Sequence, residues 1–263
     1  MSPAFVLARR LAAERRVLIG GVSAGAAATL FLQVAMYPSI RDTFSDMSEG
    51  LPEAFTSLIG SADFASPEGF LQAEAYGTMA PILVILVAIS VAASGIPGSE
   101  SSGRMTMLAT SSTSRRQIAL GAALATAIAV TLVTFAYWLA SILGSALGGL
   151  DIGLVELTAA SFSLWLLGLA VGSIAFCVGA ASGGRGSTIG VAATVAVASF
   201  LAYGLLPLSD RLAWGRHISL WFPYSDHQPL LTGFDFSNTI ALLLVTGCGV
   251  ALGVWLFTRR DLA

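Results

Sequence analysis

The sequence predicts an all-α, polytopic integral membrane protein with six transmembrane helices. Of its 263 residues, 56% are hydrophobic and 11% are charged, and the mean hydropathy is +0.82. A globular protein carries about 25% charged residues, so this chain has too few charges to cover a soluble surface. Apolar runs of roughly 18 residues or more recur along it, and such runs are typical of membrane-spanning helices.

Residues 1–16 predict an amphipathic helix that lies on the membrane surface. Phe5, Leu7 and Leu11 recur at helical spacing, and four arginines stand among them against one acid, Glu14. A signal peptide is the competing interpretation. However, the apolar run at 17–37 is too long for one and has no convincing small-residue cleavage site. We therefore expect the first span at residues 17–37.

The acidic stretch 38–77 is expected outside the cell, with a short helix near 51–59 resting on the outer leaflet. Ser66, Pro67 and Glu68 then supply a capping serine, a proline at the first helical position and an acid in the first turn. This helix is expected to lead into a second span at about 78–96, with a kink at Pro81.

The remaining spans are expected at about 118–147, 158–181, 188–206 and 238–257, all within a single membrane domain. Residues 207–237 are too interrupted by proline and charge to span a membrane, and they contain two tryptophans and a tyrosine. Aromatic residues of this kind favour the membrane interface. We expect short re-entrant helices there, before the sixth span.

The arginines indicate which side faces the cytoplasm. Ten fall on the side of the two termini, and three, Arg41, Arg211 and Arg216, fall on the other. Because cytoplasmic segments carry the excess of positive charge, both termini are expected in the cytoplasm of a cell-membrane protein. The ten are Arg9, Arg10, Arg15, Arg16, Arg104, Arg115, Arg116, Arg185, Arg259 and Arg260.

The polar segment Pro97–Gln117 lies between the second and third spans and is the leading candidate for a functional site. Its middle, Arg104–Thr110, consists of good helix formers, and Met105 and Leu108 are three residues apart, on one helical face. A short helix with an apolar spot and flanking arginines suits docking of a partner protein. An ordinary connecting loop, whose arginines only set topology, is an equally open interpretation.

The composition excludes several chemistries. All 13 basic residues are arginine, so the chain has no lysine for a Walker A loop or a Schiff base. Ser23 lies in a G-x-S-x-G pattern, but a nucleophile there would need a strand-turn-helix setting and a nearby histidine. We expect helix packing instead, through Gly21 and Gly25 and through two further glycine pairs, Gly168/Gly172 and Gly249/Gly253. The two cysteines are also expected to be packing residues.

The predicted spans contain no ionisable residue, which argues against a proton- or ion-coupled pump. Such spans suit a path whose cargo is apolar or amphipathic. The glycine-rich segment 182–187 could bind phosphate, but without a preceding strand a tight hairpin turn is the simpler interpretation.

Three motifs resemble the type-2 ATP-binding-cassette permeases, especially the polyketide-antibiotic and multidrug exporter branch. The first is Glu100 and Gly103 followed by the apolar stretch 104–108 and then Ser114–Arg116. The second is the outer segment 59–69, and the third is the ending 257–262 after 223–230. The resemblance implies a connecting helix at 1–16 and a coupling helix near 99–110. Its implied coupling residues are Glu100, Gly103, Arg104, Met105, Leu108, Arg115 and Arg116.

The resemblance also implies partners. Six spans would form half a transporter, so a second copy or a sister permease would complete it. ATP and Mg²⁺ would be bound by a separate ATPase subunit, which leaves this chain without catalytic residues or cofactors of its own. Membrane lipid is the other expected contact, and nucleic acid is not expected. The alternative function is a membrane scaffold or sensor of the same shape, working with a cytoplasmic ATPase or kinase.

Overall fold

A computed structural model describes residues 2–48, 66–103 and 113–260, without side chains for 38–48. The regular elements of these residues are all helical, and six of the helices are long and apolar enough to cross a membrane. This confirms the predicted all-α, multi-pass class. The six are α2 (Arg16–Ser48, of which Arg16–Tyr37 is the apolar part), α3 (Pro67–Ser94), α5 (Arg115–Gly148), α6 (Leu154–Ser182), α7 (Arg185–Leu205) and α10 (Phe236–Arg259).

The N-terminal amphipathic helix, α1 (Pro3–Glu14), packs against the first turns of α5. Its buried face includes Ala8 and Leu11, whereas Phe5 is 41% exposed on another face. Gly121 of α5 makes the close approach possible, because a Cβ there would lie 3.0 Å from the Ala4 carbonyl oxygen. α1 is therefore packed against the helix bundle. Its amphipathic sequence also suits a membrane surface.

The second long helix begins eleven residues earlier than its predicted span, at Pro67 instead of about residue 78. The predicted start signal is confirmed: Ser66 caps the helix, and its hydroxyl accepts a hydrogen bond from the Gly69 amide at 3.1 Å. Hydropathy missed the first turns because they contain Glu68, Gln72 and Glu74. Glu74 therefore lies inside a long helix, which corrects the expectation that the spans carry no ionisable residue.

A π-helical segment, Leu71–Met79, occupies the first third of α3, and Pro81 follows it. α3 ends at Ser94, and a separate short helix, α4 (Ile96–Ser101), begins after Gly95. The predicted polar segment therefore opens with a helical turn that is itself partly buried. This short helix precedes the residues at 104–112, which are outside the described part of the chain.

Three helices, α3, α5 and α6, form the centre of the bundle. Gly168 of α6 faces Val84 and Val130, which belong to the other two helices. Gly172 lies one turn further along α6, and a Cβ there would be 2.9 Å from Thr126 Cγ2. The prediction that this glycine pair permits close helix contacts is confirmed.

The other two predicted glycine pairs behave differently from each other. Gly249 and Gly253 of α10 meet Ser173 and Phe176 of α6 at close range, as predicted. Gly21 and the residues around it lie within the continuous helix α2, and no described atom would lie within 4 Å of a Cβ at Gly21 or Gly25. A continuous helix also excludes the nucleophile elbow, which needs a turn after a strand.

The segment between α7 and α10 is irregular and partly buried. It contains two 3₁₀ turns, Leu206–Leu208 and Ala213–Ile218, and two short helices, α8 (Trp221–Ser225) and α9 (Pro229–Thr232). Trp221 is only 5% exposed, whereas Trp214 is 65% exposed. The sequence predicted short helices here, in a segment too interrupted to span a membrane, and the structure has short helices in it.

The bundle has two ends, which we name by the chain segments found there. The terminal end contains α4, the turn from α6 to α7 and the last turn of α10. The opposite end contains the turn from α5 to α6 and residues 206–235.

Candidate functional site

The predicted coupling residues fall into two groups. Glu100 lies near the end of α4, Gly103 follows it with a φ of +70°, and Arg115 and Arg116 are the first residues of α5. These four are all at the terminal end. Arg104, Met105 and Leu108 lie outside the described residues, so the coupling helix predicted there stays a prediction.

The start of α5 is fixed by a reciprocal cap. The Ser114 hydroxyl accepts a hydrogen bond from the Gln117 amide at 3.3 Å, and the Gln117 side chain accepts one from the Ser114 amide at 3.0 Å. This capping box satisfies two amides that would otherwise lack partners. Arg115 and Arg116 nevertheless lie at the positive end of the helix dipole, where cations are disfavoured. Their charges therefore do not stabilise α5 through the helix dipole.

Arg115 has a partner on the last long helix. Its Nη1 donates a hydrogen bond to the Arg260 carbonyl at 2.7 Å, at the negative end of the α10 dipole. Arg116 is exposed. One arginine of the predicted pair thus contacts the bundle, and the other faces outward.

Glu100 forms an ion pair with Arg260 across 160 residues of sequence. The same guanidinium donates through Nη1 to the Ala180 carbonyl of α6 at 3.0 Å. Both charged side chains are 23% exposed. Gly183 lies beside the pair with a φ of +66°, and a Cβ there would lie 2.6 Å from Arg260 Nη2. A side chain at residue 183 would therefore collide with the ion pair.

Sequence patterns did not single out Arg260 as a site residue, because its partners lie 80 and 160 residues away. The sequence offers no local signal for these contacts. Arg260 was expected to contribute to the charge asymmetry that sets topology and belonged to the family-like ending 257–262, but no contact was predicted for it.

A second feature is an apolar groove between α3 and α7, with a volume of about 570 Å³. Thr78 and Ser90 of α3 supply its hydroxyl groups, and none of the described residues that line it is charged. Trp221 of α8 also lines the groove, and its indole N–H is buried without a partner among the described residues. The other lining residues are Gly77, Ile82, Ile85, Leu86, Ile89, Ile189, Ala193, Ala196, Val197 and Phe200.

The groove follows directly from the composition of its two walls. Isoleucine and leucine of α3 lie opposite alanines of α7, and the small alanine side chains leave the space unfilled. Trp221 packs edge-on against Phe200 of α7, with ring centroids 5.3 Å apart. The result is an uncharged site that suits an apolar molecule of small size.

At the opposite end, a buried hydroxyl network joins α3, α5 and α6. The Tyr76 hydroxyl is 2.8 Å from both the Ser141 and the Ser161 hydroxyls. The Tyr137 ring meets the Tyr76 ring edge-on, with centroids 5.3 Å apart. Since Gly77 and Thr78 of the same π-helical segment line the groove, this network holds one wall of it in place.

A polar pocket at the opposite end contains His227 and two carboxylates. The Asn238 amide nitrogen is 3.3 Å from His227 Nδ1 and 3.0 Å from an Asp235 carboxylate oxygen. Burial lowers the pKa of His227, against the raising effect of Asp235 and Asp226. Asp226 in turn pairs with Arg216 at 3.1 Å.

These features define a multi-pass helical membrane protein with an uncharged groove and an ion-paired terminal end. No protein-family model matches the chain, and no curated protein is significantly similar to it.

Proposed function

We propose that the chain is the membrane-spanning permease of an ATP-driven exporter of the type-2 ATP-binding-cassette kind, moving an apolar or amphipathic small molecule. The observation that carries this proposal is the uncharged groove between α3 and α7. A charged cargo entering such a groove would lose its hydration without a compensating partner, which is strongly unfavourable. An apolar cargo loses nothing of this kind and gains from burial.

The groove also provides a place for one polar group of the cargo. Ser90 brings a hydroxyl group to the groove lining, and a carbonyl or ether oxygen of the cargo could accept a hydrogen bond from it. An amphipathic molecule with one such oxygen therefore suits the groove better than a pure hydrocarbon.

The energy source is proposed to be a separate ATPase, docked on the terminal end. This chain has no lysine with which to build a Walker A loop. The segment 104–112 lies between α4 and α5, both of which begin or end at the terminal end. An ATPase that displaced this segment would act on two helices of the bundle at once.

The terminal end is proposed to face the cytoplasm, as the ten-to-three distribution of arginines favours. A reporter inserted at Ser101 should then be cytoplasmic, and one inserted at Ser209 should be external. The reverse result would place the proposed docking segment on the wrong side of the membrane.

A second permease half is proposed to complete the path. α2 and α7 both leave glycines in open space, at Gly21, Gly25, Gly186 and Gly190. Small residues on exposed faces permit close approach of another helix within a membrane. Capture of an untagged copy by a tagged copy of this chain would show that the second half is another copy. Failure to capture it would favour a sister chain.

The test of the groove is to fill it. Ala193 of α7 lines the groove, whereas Ala198 is exposed on the same helix and does not line it. Ala193→Trp should abolish transport of an uncharged amphipathic dye into inverted vesicles, and Ala198→Trp should leave it unchanged. Full transport by the Ala193→Trp chain would contradict a path through the groove.

A further inference from the structure

We infer that Arg260 is a positioning residue that fastens α4 to the ends of α6 and α10, so that a displacement of α4 is passed to both helices. The part of this inference that concerns movement rests on the proposed function. The attachment of α4 to α6 and α10 rests only on contacts at the terminal end.

Arg260, at the end of α10, contacts α4 and α6 through its side chain and α5 through its main-chain carbonyl. Its guanidinium binds the Glu100 carboxylate of α4 and the Ala180 carbonyl of α6, while its own carbonyl accepts from Arg115 of α5. Arginine suits this role because its planar fork presents several donors in fixed directions. A lysine at this position would offer one compact charge and could not reproduce the same geometry.

The surroundings of the ion pair make it more than a surface contact. Exposed ion pairs contribute little, but the two side chains here are each 23% exposed, and the Arg260 guanidinium also donates a hydrogen bond to the Ala180 main-chain carbonyl. Gly183 adopts left-handed geometry and leaves the space that the pair occupies. The turn between α6 and α7 is thus shaped around Arg260 and Glu100.

α4 would otherwise be weakly held. It has only six residues, Ile96–Ser101, and a break at Gly95 separates it from α3. So short a helix is not stable by itself, and its position depends on tertiary contacts. Ile96 and Pro97 bury its first turn, and the Glu100–Arg260 pair fixes its last.

The adjacent arginine provides a matched control. The Arg259 guanidinium lies over the Trp255 ring, 4.4 Å from the ring centroid, on its own helix. Removing the charge of Arg259 changes the net charge of the terminal end as much as removing that of Arg260. It leaves the contacts among α4, α6 and α10 intact.

The first measurement needs no partner. Spin labels at Ser101 and Thr258 report the distance between α4 and α10 in nanodiscs, in a chain whose Cys177 and Cys248 are replaced by alanine. Glu100→Gln and Arg260→Gln should broaden the distance distribution, and Arg259→Gln should leave it narrow. Labels at Ala181 and Thr258 should stay narrow in all variants, since α6 and α10 pack along their lengths. An unchanged Ser101–Thr258 distribution in both test variants would overturn the inference.

The second measurement concerns the complex with its ATPase. Arg260→Gln should keep the ATPase bound but lower the stimulation of hydrolysis by an uncharged amphipathic dye about fivefold or more, at the lower end of typical coupling factors. Arg260→Lys should restore part of the stimulation, because it retains the charge opposite Glu100. Undiminished stimulation in Arg260→Gln would overturn the transmission of movement. If no ATPase binds even the wild-type chain, the proposed function fails, and the spin-label result still decides whether Arg260 positions α4.

Discussion

The Tyr224 hydroxyl donates a hydrogen bond to the main-chain carbonyl of Tyr76, which joins α8 to the π-helical segment of α3. In that segment the helix register is i to i+5, as the bond from the Ala80 amide to the Ala75 carbonyl shows. The next amide in this register belongs to residue 81, which is proline and has no N–H to donate. Tyr224 therefore satisfies a carbonyl that Pro81 leaves without its helical partner.

We expect Tyr224→Phe to destabilise the protein by about 1–3 kcal/mol, because it leaves the buried Tyr76 carbonyl unsatisfied. Burial raises the pKa of Tyr224 well above its ordinary value, so the hydroxyl is protonated and able to donate at all ordinary pH values. Thermal unfolding in detergent would measure the loss.

Pro81→Ala tests whether the missing amide of Pro81 is the reason why the Tyr76 carbonyl needs Tyr224. An alanine at residue 81 supplies the missing amide, so Tyr224→Phe should destabilise the Pro81→Ala chain by less than it destabilises the wild type. Equal losses in the two backgrounds would show that the proline is not the reason why Tyr76 needs Tyr224.

A reciprocal pair of indole hydrogen bonds joins α5 to α6. Trp138 of α5 donates to Thr158 of α6 at 3.1 Å, and Trp165 of α6 donates to Thr131 of α5 at 2.9 Å. Thr131→Val or Thr158→Val should each lower the free energy of unfolding by about 0.5–1.5 kcal/mol, since each leaves one indole without its acceptor.

Thr246→Val is the matched control for these two changes. Among the described residues, the Thr246 hydroxyl bonds only to the Leu242 carbonyl of its own helix, at 2.8 Å. Thr131 and Thr158 make the same kind of bond within their helices in addition to accepting from tryptophan. A loss in Thr246→Val as large as in the other two would mean that the contacts between helices contribute nothing.

His227 should make the opposite end of the bundle sensitive to acid. Its pKa is below the ordinary value of 6.5 because the ring is partly buried, although Asp235 and Asp226 act in the other direction. The folded state therefore binds this proton less readily than the unfolded state. The protein therefore keeps its full stability at pH values above the pKa of this histidine in the unfolded state. It loses stability as the pH falls through 6.5 towards the pKa of His227 in the folded state.

Unfolding midpoints measured between about pH 8 and pH 5, the range over which histidine changes charge, would reveal this dependence. His227→Gln should reduce the decrease at acid pH, and His217→Gln should not, because His217 is exposed and its ring bonds to the Trp214 carbonyl of its own 3₁₀ turn. An undiminished decrease in His227→Gln would assign the effect to other groups.

The number and order of the membrane helices follow from apolar runs, which can be identified in the local sequence without knowledge of tertiary contacts. One local start signal was equally visible: Ser66 was predicted to cap the helix that follows it, and it does. The cap that Ser114 forms at the start of α5 was not predicted. The helix start at Pro67 was predicted from its cap, but the apolar span was placed eleven residues later. Gln72 is polar yet only 1% exposed, so a hydropathy profile treats this buried residue as if it lay outside the membrane helix.

Contacts distant in sequence could not be predicted. The Glu100–Arg260 pair spans 160 residues, and the bond from Tyr224 to Tyr76 spans 148. One signal was present but not used: Thr131, Phe135 and Trp138 repeat the spacing of Thr158, Phe162 and Trp165. Matching spacings on adjacent antiparallel helices favour reciprocal contacts, as the two indole bonds show.

The proposed function requires an ATPase that binds this chain through the polar segment between α3 and α5. The most direct measurement is ATP hydrolysis by the chain purified with its bound partners from its own membranes. Met105 and Leu108 are predicted to share the docking face and Met107 to lie off it, so Met107→Asp serves as the control for Leu108→Asp. Burying an unpaired carboxylate in an interface is strongly unfavourable. At equal amounts of protein in the membrane, we expect ATP hydrolysis with the wild-type and Met107→Asp chains and loss of hydrolysis with Leu108→Asp. Full hydrolysis with Leu108→Asp, or none with the wild-type chain, would contradict binding of an ATPase through this segment.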